Sequence, residues 1–255
     1  AAYNAALPER PIGPQICAVS GPLARTIGDI RLALAAMSGR DARDPWWVPA
    51  PLEGPAMPKR VAMCLNPDGL DPVPEVKAAV ADAGKRLERA GWSVEEITNT
   101  PPLREAADLN TKLWLGDGYE AQLEAAEREG DPGALACLRG SKAKVFPFDL
   151  SKTLTRRLTL TREWLAFFEK YAVLLMPVSG ELPFPDHLDR KDEASFARVW
   201  HAQMPQIAIP LMGLPGLTVS TGLVGRIPVG VQLVSGRYRE DLCLAAGEAI
   251  EAGGT

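Results

Sequence analysis

The stretch that most restricts the fold lies near the end of the chain, at 212–251: "MGLPGLTVSTGLVGRIPVGVQLVSGRYREDLCLAAGEAIE". At 217–221 apolar and hydroxyl residues alternate with the period of a pleated strand, and Val229, Val231 and Leu233 share one face of a second strand at 229–235. The connector between them holds Gly222 and Gly225, which tolerate positive φ, and Pro228, which suits the first residue of a strand, so a hairpin is expected. Acidic Glu240 and Asp241 then mark a helix start, and Leu242, Ala245, Ala246, Ala249 and Ile250 recur at helical spacing. That helix is expected to pack back across the sheet.

Upstream, the pattern alternates between strands and helices. Pro8, Pro11 and Pro14 predict an extended connector over 1–15. Thr26 is placed to cap a helix carrying Ile27, Ile30, Leu34 and Met37 on one face, with an Arg25–Asp29 pair at its start and Gly39 at its end. A turn-rich passage follows, in which Trp46 and Trp47 are expected to cover the edge of the core. Residues 59–65 and 92–97 read as short strands around an amphipathic helix at 74–90 with Val76, Val80, Ala83 and Leu87 inward, a right-handed βαβ unit. Residues 101–170 read as helical and charged, interrupted at Asp131-Pro132-Gly133 and at Pro147. The run at 171–177 is apolar throughout, as a strand buried on both faces requires, and Ser179 and Gly180 leave its C-terminal end, where ligands bind in open α/β sheets. A helix at 196–209 is expected to kink or restart at Pro205. The predicted fold class is α/β, a mixed, largely parallel sheet flanked by helices.

Composition narrows the function classes. With 255 residues, 46% of them hydrophobic, the chain can bury a sizeable core. Its net charge of -4, without a dense Lys/Arg cluster, argues against a nucleic-acid partner. No apolar run approaches the ~20 residues that span a bilayer. The scattered Cys17, Cys64, Cys137 and Cys243 read as reduced and mostly buried, which suggests a cytoplasmic protein. His187 and His201 form no ligand cluster, and no calcium-loop pattern occurs, so neither metal nor cofactor is expected. His201 reads as a structural residue within its helix; His187, near Asp186 and Asp189, reads as solvent-exposed.

Several of these segments resemble the amidase signature family of serine amide hydrolases. Gly213-Leu214-Pro215-Gly216 stands where that family has "GLPA", and "RIPVGVQLVS" at 226–235 where it has "GLPVGVQLVG". "GPLART" at 21–26, "RDARDPWW" at 40–47 and "YAVLLMP" at 171–177 match as well, with Ala172 in place of a common Asp and Met176 in place of a common Thr. The likeness covers nearly the whole chain. It implies a fold incomplete without an N-terminal half, and hydrolysis of carboxylic amides by a Lys and two Ser residues, the Ser residues in a Gly/Ser-rich run. No such run occurs here: Ser20-Gly21, Ser38-Gly39, Ser179-Gly180 and Ser235-Gly236 are isolated pairs, and there is no G-x-S-x-G elbow.

The chain is therefore expected to be the C-terminal portion, 1–255, of one amidase-signature domain, with 101–170 a variable helical insertion that lends side chains to substrate selection. Catalytic residues are expected upstream, and the chain alone is expected to be inactive. Met176, Ser179, Met212, Gly213 and Gln232 are the candidate substrate-binding residues, although Gln232 reads first as a tied-down structural residue. The implied partners are a small-molecule amide, the missing N-terminal half or a partner chain, and a second copy in a homodimer. Two other readings stay open: a non-catalytic amidase-like module that binds a partner chain or small ligand, and an independent α/β ligand-binding protein.

Overall fold

Five strands form one sheet in the computed structural model, which describes residues 10–254. They are β1 (Arg60–Met63), β2 (Ser93–Glu96), β3 (Val173–Pro177), β4 (Gly216–Val224) and β5 (Ile227–Val234), in spatial order β2-β1-β3-β5-β4. β2, β1 and β3 run parallel, whereas β5 is antiparallel to both β3 and β4. The expected mixed, helix-flanked sheet is what forms. Its βαβ unit joins β1 to β2 through α3 (Pro74–Arg89), which buries Val76, Val80, Ala83 and Leu87.

Alternation along β3 explains its unbroken apolar run. Val173 and Leu175 enter one core layer with Val80, Leu87, Val231, Leu233 and Ile250, under α2 (Ile27–Met37), α3 and α10 (Glu240–Ala252). Leu174 and Met176 enter the other with Leu113, Trp164, Met212 and Val234, under α4 (Arg104–Gly116), α7 (Leu150–Lys170) and α9 (Met204–Met212). Each such side chain contributes roughly 1.5–3 kcal/mol on burial, so a strand covered on both faces has no polar positions to spare. Farther out, α5 (Tyr119–Glu129) and α6 (Pro132–Val145) carry a smaller cluster around Tyr119, whose hydroxyl donates to the Leu138 carbonyl at 2.8 Å, and α8 (Glu193–Ala202) packs on α6. No helix among the described residues is long and apolar enough to cross a membrane.

Local chemistry departs from the sequence expectations in four places. The proline-rich connector is helical where it is described: α1 (Ile12–Cys17) starts after Pro11, and the rest of the connector, 1–9, lies outside the described residues. Pro14 is the third residue of α1, where its missing N–H has no intrahelical acceptor to lose and its ring meets no helical carbonyl. At α2, Thr26 accepts from the Asp29 amide at 3.1 Å and donates to its carboxylate at 2.8 Å, so Asp29 pairs with the cap rather than with Arg25. Of the two tryptophans, Trp47 is anchored through its indole N–H to the Ser38 carbonyl at 3.1 Å, while Trp46 is 50% exposed. Finally, β4 and β5 extend through most of the predicted connector, with a register shift between Ser220 and Gly222. Pro228 sits inside β5, opposite Leu223, where the β3 side of the strand has no neighbour.

Candidate functional site

The residues picked out from sequence fall into three places on the sheet. Ser179 follows the C-terminal end of β3, in a loop pinned by the Gly180 amide to the Ala202 carbonyl (2.7 Å) and by the Val73 amide to the Gly180 carbonyl (2.9 Å). Its hydroxyl accepts from the Glu181 amide at 3.2 Å, a turn interaction. A cleft of about 210 Å³ opens here, lined by Ser179, Glu181, Phe184, Gln203, Gln206 and Gly230. Arg198 grips Glu181 through Nε and Nη2, the latter at 2.6 Å, and those bonds hold the Glu181 carboxyl below its ordinary value.

Met212 and Gly213 lie at the opposite end. Gly216, just beyond them, pairs with Val234, which in turn pairs with Leu174 near the start of β3. At ~3.3 Å per strand residue this separates Gly213 from Ser179 by on the order of 15–20 Å, so the two loops do not share a pocket. Gly213 ends α9 with φ +64, a left-handed conformation suited to glycine. Around it runs a groove of about 470 Å³ whose walls include Ile16, Val19, Met37, Trp46, Arg157 and Arg237.

Arg157 and Arg237 were not singled out by sequence. Arg157 Nε donates to the Leu211 carbonyl at 2.6 Å and Arg237 Nε to the Met212 carbonyl at 3.3 Å, so both guanidiniums cap the negative end of α9. Burial lowers Arg157 from its ordinary value, and the neighbouring Arg237 charge adds to that. A signal existed: Arg157 follows the buried stripe Thr153, Leu160, Thr161, Trp164 of α7 at helical spacing, an unusual place for a cation.

Met176 and Gln232 occupy the third place, paired across β3 and β5 in the middle of the sheet. Gln232 pairs on its other side with Thr218 of β4. Both Met176 and Gln232 are buried, yet Gln232 Oε1 has no hydrogen-bond partner, and its near neighbours on that face of β4, Gly216, Thr218 and Ser220, are exposed. Gln232 thus borders the part of that face over β4, where Gly216, Thr218 and Ser220 are exposed.

These three places hold no hydrolytic machinery of their own. Among the described residues no Ser hydroxyl is hydrogen-bonded to a Lys or His side chain; Ser38 and Ser235 donate to the Leu34 and Ala172 carbonyls. His201 Nδ1 lies 3.3 Å from Arg104 Nη1, and burial, followed by the Arg104 and Lys144 charges, lowers its pKa, the opposite of an imidazolium held by a carboxylate. His187 is exposed beside Asp186 and Arg190. Burial pushes the Cys17 and Cys64 thiols up to about 11, which makes them poor nucleophiles. No group of three or more His, Cys, Asp or Glu residues among the described ones is placed to hold a metal ion.

Comparison with known proteins puts the arrangement in context. A family model described as Amidase matches residues 7–244. The indoleacetamide hydrolase of Bradyrhizobium diazoefficiens is 39% identical over 98% of this chain and 49% of its own length. One of the subunits of the Thermus thermophilus glutamyl-tRNA(Gln) amidotransferase is 28% identical over 91% of this chain and 54% of its own length. Among solved structures, the corresponding polypeptide of the Thermotoga maritima glutamyl-tRNA(Gln) amidotransferase superposes with a TM-score of 0.68 at 22% identity, covering 91% of this chain and 52% of that one. The chain spans about half the length of the curated relatives it matches.

Proposed function

The chain belongs to the amidase family, and from that premise we propose that it is the substrate-shaping half of an enzyme that hydrolyses carboxylic amides by a Ser-Ser-Lys mechanism, with the Lys and both Ser residues on polypeptide outside this chain. The observation that carries the reading is the 39% identity over 98% of this chain but only 49% of an amide hydrolase, in a chain whose described Ser hydroxyls are hydrogen-bonded to no Lys or His side chain. Amide hydrolysis needs an activated nucleophile, a base for its proton and donors aimed at the developing oxyanion. A catalytic half seated on the open face of β4 reaches all three places described above: the Ser179 cleft, the Gln232 row and the Gly213 groove. In that arrangement Ser179, Gln232 and Gly213 lie at separate points along the joining surface, Met176 and Met212 support them from the core, and helices of 101–170 contribute to selection. Small carboxamides of the indoleacetamide kind are the proposed substrates, after the relative's activity. Two relatives are named as subunits of a larger enzyme, which suits a chain that works against partner polypeptide.

A non-catalytic module is the second reading, supported by the same absence of a Ser–base contact. One experiment separates them: the coding sequence ahead of Ala1 is read, and the longest reading frame containing this chain is assayed beside the 255 residues alone for ammonia release from indole-3-acetamide. The enzyme reading expects a Lys and a Gly/Ser-rich segment upstream, activity in the long protein and none in the short one. Activity in the 255 residues alone, or an inactive long protein without those residues, overturns it.

A further inference from the structure

A second cavity, of about 260 Å³, lies where α6, α8 and the 3-10 turn at Leu188–Arg190 meet. It shares Phe184 and Gln203 with the Ser179 cleft, so the two spaces adjoin. Its other walls include Cys137 from α6 and Phe196, Val199 and Trp200 from α8. Both volumes fall below the roughly 300–1,000 Å³ of a pocket that holds a whole drug-sized ligand, so each suits one part of a molecule.

The aromatic wall is built in place before any ligand arrives. Gly140 of α6 lets the Phe196 ring lie against the helix backbone, since a Cβ there would stand 2.7 Å from the ring. One turn on, Trp200 stacks on Phe196 with ring centroids 5.2 Å apart and planes at 22°. A second observation is independent of this packing: Trp200 Nε1 is buried and has no hydrogen-bond partner. An orphaned buried donor is costly; Nε1 is shut off from the cavity in this conformation, so a ligand acceptor relieves it only with a shift of the Trp200 ring. Asp189 is the one charged residue among the described ones lining the cavity, so an anionic group is disfavoured.

We propose that this cavity is a subsite for a flat, uncharged group of one or two aromatic rings with a hydrogen-bond acceptor near Trp200 Nε1. Its role in turnover rests on the amidase reading: the ring of an aromatic amide sits against Trp200 and Phe196 while the carboxamide extends toward the Ser179 cleft. Selectivity for aromatic over small aliphatic amides then resides in this chain, on α6 and α8.

The test uses the 255-residue chain, folded by circular dichroism, with indole-3-acetamide and acetamide as probes. Dissociation constants are measured by calorimetry, and occupancy is read as protection of Cys137 from N-ethylmaleimide; Cys137 is partly exposed whereas Cys17, Cys64 and Cys243 are buried. Indole-3-acetamide is expected to bind and to slow Cys137 alkylation, and acetamide to do neither at the same concentration. Trp200→Phe keeps the stack and removes the N–H, and should weaken binding about threefold to tenfold. Cys137→Phe fills the cavity and should abolish binding; Trp114→Phe, partly exposed on α4 and outside the cavities described, should change nothing. No binding to the folded chain, binding without Cys137 protection, or unchanged affinity in both cavity variants overturns the proposal. Hydrolysis by the longer protein is a separate readout. Acetamide turnover without aromatic binding sinks the subsite alone, and aromatic binding without any amide turnover sinks the amidase reading alone.

Discussion

Single residues decide how this chain holds its ends together. Arg239 Nε and Nη2 meet Asp241 Oδ1 and Oδ2 at 2.9 and 3.0 Å, and the Gly54 amide donates to Oδ2 at 3.1 Å, tying the loop before β1 to the start of α10. Burial acts to raise the Asp241 carboxyl, but the Arg239 and backbone bonds outweigh it and keep the group below its ordinary value. With side chains 16% and 8% exposed, the pair is stable together and costly to break. Arg239→Ala is expected to cost about 3 kcal/mol in urea unfolding, because Asp241 is left buried without its partner. The Arg239→Ala, Asp241→Ala double variant should lose less than the sum of the two single ones. His201 gives the chain an acid-sensitive component. Burial first, then Arg104 and Lys144, lower its folded pKa below the ordinary 6.5. As pH falls through 6.5 the unfolded chain takes up a proton before the folded one, so this contribution is intact above 6.5 and shrinks below it. His201→Gln should flatten the fall in stability below pH 6.5, and a profile parallel to the native one would remove His201 from the account.

Whole elements show what periodicity carries and what it does not. β3, α3, α10 and the β4–β5 hairpin were legible because each presents a two- or 3.6-residue apolar repeat to a core layer. α1 was hidden by Pro11 and Pro14, which read as breakers although both stand where a helix start tolerates them. Packing, not propensity, fixes α1: a Cβ on Gly13 would collide with the Leu113 carbonyl of α4, a backbone atom that has no rotamer to yield. Gly13→Ala should therefore cost about 1–3 kcal/mol and lift α1 from α4. The readout is Cys17, 6% exposed and with its thiol pushed up to about 11 by burial; its reaction with a disulfide reagent at pH 8 should be slow in the native chain and faster in the variant. The candidate site was legible only in part for a related reason. Apolar repeats locate strands but carry no sign of their direction, and the reversal of β5 against β3 is what sends Gly213 and Ser179 to opposite ends of the sheet. The aromatic cavity was invisible as well, since Cys137 and Trp200 are far apart in sequence and meet only through the packing of α6 on α8.

At the scale of the molecule, both edges of the sheet are free, and they differ: β2 is four residues long and carries Glu95 and Glu96, whereas β4 has no charge. Natural sheets blunt an exposed edge with charge, proline or a covering element. β4, "GLTVSTGLV", is nine residues long and uncharged, and its outward Gly216, Thr218 and Ser220 are exposed beside the buried Gln232. Leu223 is 68% exposed at its far end. The orphan Gln232 Oε1 turns this geometry into a test of whether polypeptide covers the face. Met is close to Gln in shape and has no acceptor to satisfy, so in the 255-residue chain Gln232→Met removes a buried unpaired oxygen and should raise stability by about 1 kcal/mol. If a covering half in the longer protein donates to Oε1, the same change deletes a real hydrogen bond and strands that donor, which should cost about 1–3 kcal/mol and weaken the joining of the halves. Urea unfolding of both proteins reads the two signs. A gain in both leaves Oε1 unpaired in the whole enzyme and removes this face from the interface; a loss in the short chain means Gln232 is already satisfied there, and the open face of β4 has no claim on a partner through it.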